Sequence, residues 1–170
     1  MSETRNYSPV VLRCTKKLLD ILRLPEVSAL EPCDEDFYAN LLVLDHRKCL
    51  LLTHAATLFS VFEPDVRVGQ LRSTCELVST LVERELREEQ LPPETFGDMT
   101  REELVIAKTA DRSVLGCMND MAILAEVAVG QSGGLASLDN RALNRRLRRN
   151  INSARGHRRP IDLIRERLVP

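Results

Sequence analysis

Hydrophobic residues fall along this chain in two rhythms, short dense runs and longer stretches at helical spacing, and each predicts its own kind of element. Residues 9–14 (PVVLRC) are rich in Val and Leu behind a proline, the composition of a strand entering a sheet. Between 39 and 62 the apolar content climbs. There the polar group Asp45-His46-Arg47-Lys48 separates Leu41-Leu42-Val43-Leu44 from Cys49-Leu50-Leu51-Leu52. Two strand-length runs around a polar turn predict a β-hairpin, although Leu-rich runs of this length also fit buried helix. Residues 57–62 (TLFSVF), β-branched and aromatic, predict a third antiparallel strand, and 104–109 (LVIAKT) one more. Just before the latter, Thr100 and Glu103 have the spacing of a helical capping box.

The helical rhythm starts at 16–24, behind a Thr15 cap and closed by Pro25. Residues 25–36, with two prolines and five acids, read as a surface loop. From 66 to 90, Val68, Leu71, Cys75, Val78 and Val82 recur at spacings of three and four, and Pro92-Pro93 end the pattern. Asp111 precedes a second amphipathic helix with Val114, Met118, Met121, Ala125 and Ala128 on one face; the two methionines read as core packing. Gly130, Gly133 and Gly134 then mark a hinge. Beyond it, Ser137 or Asp139 caps a helix with Leu143, Leu147 and Ile151 at i, i+4 and i+8. Pro160 opens a last helix with Ile161, Ile164 and Leu168 inward. The expected fold is α+β: a small antiparallel sheet of about four or five strands packed with two long amphipathic helices. A core domain over 1–130 carries a C-terminal helical extension over 131–170.

Composition leaves this picture in place. At 44% apolar and 29% charged residues the chain is an ordinary globular sequence, and 170 residues suffice for a core without metal or disulfide support. Charge changes the picture more. Residues 131–170 hold ten Arg and no Lys against Asp139, Asp162 and Glu166, a net +7, which leaves −8 for the first 130 residues of a chain whose total is −1. Guanidinium forks suit phosphates and carboxylates alike. Arg145, Arg146, Arg148, Arg149, Arg155, Arg158 and Arg159 are therefore the candidate contacts to an acidic partner, nucleic acid or protein. The segment has no Phe, Tyr or Trp for base stacking, so nucleic-acid binding would be electrostatic and poorly selective. The competing expectation is that these arginines pair with the body's own acids, Glu83, Glu85, Glu88 and Glu89 among them.

Catalytic signatures are scarce. The sequence has no P-loop, GxGxxG, GxSxG or HExxH pattern, and only three histidines. His46, Cys49 and His54 have metal-ligand chemistry, but a closed zinc site needs four ligands and alternation along a strand turns Cys49 and His54 to opposite faces. A turn histidine and a core thiol are the simpler reading. Cys14 and Cys117 lack any local base that would make either a nucleophile. Five cysteines, odd in number and without a CxxC, fit buried thiols in a reducing compartment. Glu3, Arg5 and Asn6 leave no room for an apolar leader, and no run approaches the roughly 20 apolar residues of a membrane span. These features point to the cytoplasm and to no membrane contact; no cofactor is expected.

Three blocks stand out together: RCTKKLL (13–19), YANLLVLDHRKCLLLTHAATLFSVF (38–62) and KTADRSVLGCMNDMA (108–122). In this order they resemble an uncharacterised bacterial group, the domain of unknown function 6933 family, over roughly residues 9–130. The resemblance implies a shared domain and brings no activity with it. Within the blocks, Asn40, Arg47, Lys48, Thr53, Arg112, Asn119 and Asp120 are polar groups set in apolar surroundings, open to a binding role or to buried hydrogen bonding. The leading expectation is a non-enzymatic binding or regulatory module using the arginine segment on an acidic partner, with an antitoxin-like or defence-associated role by analogy only. A small hydrolase or nuclease using His54, Lys48, Asp111 and Asp120 at the sheet edge is the alternative from another class. A purely structural arginine segment is the third. A homo-oligomer stays open.

Overall fold

A computed structural model describes residues 9–99 and 104–170. The capping-box positions Thr100 and Glu103, and the N-terminal residues Glu3, Arg5 and Asn6, lie outside them. The strands are β1 (Val10–Cys14), β2 (Phe37–Leu44), β3 (Arg47–His54), β4 (Ser60–Glu63) and β5 (Leu104–Lys108); the helices are α1 (Lys16–Leu22), α2 (Val68–Arg72), α3 (Thr74–Glu88), α4 (Arg112–Gln131), α5 (Asn140–Arg149) and α6 (Pro160–Arg167).

The fold is α+β, as the two rhythms predicted, but its sheet is mixed. Strand order is β4-β3-β2-β1-β5. The hairpin and the third strand run antiparallel, with Leu41 facing Leu50 and Leu52 facing Val61. β1 instead runs parallel to both neighbours, pairing Leu12 with Phe37 and with Ile106. The physical reason is the crossover: α1 carries the chain back along the sheet before β2 begins, and a strand reached through a crossover lies parallel. The hairpin turns on Asp45 and His46, both at positive φ (47° and 60°), the two-residue geometry that matches strand twist.

Side-chain alternation along the strands makes two cores. On the first face Leu12, Phe37, Leu52 and Phe59 pack with Leu18 of α1 and Val78, Val82 and Leu86 of α3. On the second face Tyr38, Cys49, Leu51 and Phe62 pack with Met118, Met121 and Ala125 of α4 and with Leu143 and Leu147 of α5. Expected as a single helix, 66–90 is broken at Ser73, where the Thr74 hydroxyl donates to the Leu71 carbonyl and competes with the helical ladder. α4, at 20 residues and mean hydropathy 1.4, is long and apolar enough by composition to cross a membrane. Here its apolar stripe lies on the sheet, the arrangement of a core helix.

The segment after residue 131 is tightly joined to the body. At Gly134, with φ 127°, an added Cβ would sit 3.1 Å from the Asp45 carboxylate, and that same carboxylate accepts the Leu135 N–H at 2.6 Å. Of the glycines expected as a hinge, Gly130 is still within α4, and Gly133 and Gly134 thus form a turn tied to the hairpin. Asp139 caps α5, accepting the Ala142 N–H at 3.0 Å. Of its expected inward residues, Leu143 and Leu147 are buried, while Ile151 lies past the helix end and is 60% exposed. α5 covers the β4 edge: Asn144 accepts the Phe62 N–H at 2.7 Å and donates to its carbonyl at 3.0 Å, so a side-chain amide stands where another strand would pair. The chain then passes round that edge, and Ile164 of α6 joins the first core.

Asn144→Ala leaves the Phe62 N–H buried without a partner, while the Phe62 carbonyl keeps the Asn140 amide as donor at 3.1 Å, and should lower unfolding stability by about 1–3 kcal/mol. Chemical denaturation of the variant beside the wild type measures this, and equal midpoints would refute the edge-cap role.

Candidate functional site

The arginine segment is the chain's most distinctive chemical feature, and the structure shows where each guanidinium group goes. Arg148 is completely buried. Its Nε donates to Glu89 Oε1 and its Nη1 to Glu85 Oε2, each at 2.8 Å, and its guanidinium carbon lies 5.5 Å from the Phe59 ring centre. Arg149 grips Glu89 with both terminal nitrogens, at 2.8 and 2.6 Å. Arg84 extends the network, donating to Glu85 at 2.9 Å and to Glu63 at 2.7 Å. Glu63, Glu85 and Glu89 thereby alternate with Arg84, Arg148 and Arg149, three charges of each sign. Burial pushes the Glu89 carboxyl up, but hydrogen bonds from Arg149 and Arg148 outweigh it and hold it at about 2, against an ordinary 4.5.

All but Arg145, Arg146 and the exposed Arg165 among the remaining arginines follow the same course. Arg141 pairs with Glu88 at 2.6 Å, and Arg167 with Glu35 at 2.5 Å. Arg155 donates to the backbone carbonyls of Ala55 and Ala56, at 2.7 and 3.2 Å, closing the loop between β3 and β4. Arg158 pairs with Glu166, and Arg159 with Asp162 at 2.6 Å. Of the seven candidate partner contacts, Arg148, Arg149, Arg155, Arg158 and Arg159 are engaged internally. The guanidinium groups of Arg145 and Arg146, on the solvent face of α5, form no hydrogen bond or ion pair among the described residues.

The candidates for chemistry are dispersed. His54 is completely buried on the first face between Phe37 and Phe96, with ring centres 5.0 and 4.4 Å away. Its Nδ1 bonds the Thr57 hydroxyl at 2.9 Å, and its Nε2 lies 3.6 Å from Glu35, beyond hydrogen-bond length. Burial pushes the imidazole below its ordinary 6.5, so the ring is neutral at pH 7. Asp120 and Asn119 are exposed on the outer side of α4, across the sheet from His54, and Asp111 caps α4 by accepting the N–H groups of Ser113 and Val114. The hydrolase set of His54, Lys48, Asp111 and Asp120 is therefore divided between two layers. His46 is exposed at the hairpin turn, Cys49 faces the second core and His54 the first, as alternation required, and no cluster of metal-ligating side chains exists among the described residues. Burial pushes the Cys14 thiol up to about 12 and raises that of Cys117, whereas Cys33 and Cys75, expected to be buried, are exposed, Cys33 in the acidic loop and Cys75 in the first turn of α3.

The polar residues of the three blocks take structural places. Asn40 accepts the Thr15 hydroxyl at 3.0 Å, Arg47 pairs with Asp65 at 2.6 Å on the surface, and Thr53 shares a hydrogen bond with Ser60 at 2.9 Å. The Lys48 carbonyl accepts the Val66 N–H at 2.7 Å, and Arg112 is exposed. Sequence reasoning missed Arg13. This buried residue pairs with Asp36 at 2.5 Å and donates to the carbonyls of Leu30, Glu31 and Lys108, anchoring the acidic loop to the ends of β1 and β5. A lone charge inside Val10-Val11-Leu12-Arg13-Cys14 was the available signal.

These features define a three-layer α+β protein whose C-terminal helices are locked to its body by an arginine–glutamate network. A family model described as Domain of unknown function (DUF6933) matches residues 11–163, and the chain belongs to that family. The match runs beyond the three blocks through α5 and into α6. No curated protein and no solved structure matches the chain.

Arg148→Ala takes one charged donor from each of Glu85 and Glu89, which keep Arg84 and Arg149, and should cost about 1.5–3 kcal/mol, whereas Arg145→Ala should stay within about 0.5 kcal/mol. Urea unfolding of both variants decides the matter; equal effects would show that burial of Arg148 carries no special weight. Glu89 also gives a pH signature. Its folded value lies below its unfolded one, so its contribution is complete above 4.5 and is lost as pH falls from there towards about 2. Unfolding midpoints followed through that interval should drop more steeply in the wild type than in Glu89→Gln.

Proposed function

We propose that this protein is a non-enzymatic binding module whose arginine segment acts first as an internal brace, and whose outward contact is the solvent face of α5, directed at an acidic protein surface. The observation that supports this reading is the division of α5 into two sides. Leu143, Asn144, Leu147 and Arg148 face inward, and Arg145 and Arg146 stand exposed without partners. Two free guanidinium groups suit a pair of carboxylates, which Arg grips bidentately. They are poor support for tracking a nucleic-acid backbone, where affinity grows with the number of phosphates neutralised and aromatic stacking adds to it. A purely structural segment is the second reading, favoured by the internal engagement of the other arginines.

The test is retention on immobilised poly-glutamate and on duplex DNA at low ionic strength, for the wild type and for Arg145→Glu/Arg146→Glu. The double variant replaces exposed, unpaired side chains and should unfold at the wild-type midpoint. Salt-sensitive retention on poly-glutamate that the variant loses supports the proposal. Retention on DNA alone redirects it to nucleic acid. No difference between the two proteins leaves the segment structural.

A further inference from the structure

A crevice opens at the other end of the molecule. β1 and β5 are adjacent and parallel, yet the helices that follow them diverge: α1 packs on the first face and α4 on the second. Where neighbouring parallel strands send their connections to opposite faces, the chain parts beyond their carboxyl ends and leaves a cleft, the usual place for a ligand in sheets of this kind. Here the cleft has a volume of about 510 Å³, within the range of small-molecule sites.

We propose that this cleft binds a small organic anion with an apolar body, its acid head held by Lys16 and Lys108 and its body against Leu19, Leu24 and Val27. The apolar side is present and unfilled. Leu24 is 40% exposed although it lines a concave surface. The wall is held in place, because Ser28 N–H donates to the Ile106 carbonyl at 3.2 Å and pins the loop after α1 along the outer edge of β5.

The polar side carries a net positive charge. Lys16, Lys108 and Asp20 share the rim, with the Thr109 hydroxyl beside them. Among the described residues Lys16 pairs only with Asp20, at 2.9 Å, in an exposed i,i+4 contact that gives way easily to a better acceptor. The Lys108 ammonium has no ion-pair partner among the described residues. The start of α4 is not the seat of the anion, because the Asp111 carboxylate already takes the Ser113 and Val114 N–H groups. Cys14, at the floor, is a neutral thiol at pH 7, since burial pushes it up to about 12, which fits binding rather than covalent chemistry. This site is separate from the α5 face, and neither proposal depends on the other.

Titration of the full chain with sodium octanoate, followed by amide chemical shifts, tests it. The expected result is saturable shifts confined to residues 14–27 and 104–109, with 1-octanol and inorganic phosphate each binding roughly tenfold more weakly, as loss of a charged contact or of the apolar body implies. Lys108→Ala should weaken octanoate binding by a similar factor, and Leu24→Asp should abolish it. Both positions are exposed, and a dispersed spectrum confirms that each variant is folded. Shifts that never saturate, spread over the surface or survive both substitutions would overturn the proposal. Octanol binding as tightly as octanoate would overturn its anionic part.

Discussion

The buried guanidinium of Arg148 is the constraint on which the rest of this structure turns. A charge removed from water must meet opposite charges at hydrogen-bonding distance, and Glu85 in the last turn of α3 and Glu89 at its C-terminal cap are the groups that meet it. Because an Arg–carboxylate contact is directional, the pair fixes the position of α5 against α3 as well as its distance. Replacing such a network with well-packed apolar residues often costs nothing, so its value here lies in specifying one docking geometry. Once α5 is seated, Asn144 falls opposite Phe62 and caps the β4 edge, and the chain is led round to place Ile164 in the opposite core.

The same network explains how a chain so divided in charge along its length is nearly neutral in space. Arginines gathered after residue 131 and acids gathered before it are brought face to face. Glu88 meets Arg141, Glu89 meets Arg149 and Glu35 meets Arg167. Of the arginines after residue 131, Arg145 and Arg146 on the outer side of α5 and Arg165 on α6 keep no side-chain hydrogen bond or ion pair among the described residues. The sheet, meanwhile, keeps other groups apart. His54 sits among aromatic rings in one layer, and the exposed carboxylate of Asp120 belongs to the other, with the sheet between them.

The two proposed contact regions arise in different ways. The α5 face exists because a helix with five arginines has room for only part of them against the body. The cleft at the ends of β1 and β5 exists because of connectivity, where two neighbouring strands lead to helices on opposite faces. Lys16 and Lys108 are ninety-two positions apart in sequence and meet only at that rim.

The sequence by itself determined the local elements of this protein. Alternation placed Cys49 and His54 on opposite faces, helical spacing set the inward side of α4 and, apart from the exposed Cys75, that of α3, and Asp111, Asp139 and Pro160 marked helix starts, because these signals depend on neighbours a few residues away. Only the tertiary structure decided that β1 runs parallel to its neighbours, that Arg13 and Arg148 are buried while Arg145 and Arg146 are not, and that the arginine segment is built into the body. Those outcomes rest on contacts between residues far apart in the chain. An arginine has the same fork whether it faces water or a glutamate, and its surroundings are fixed only once the helices have packed.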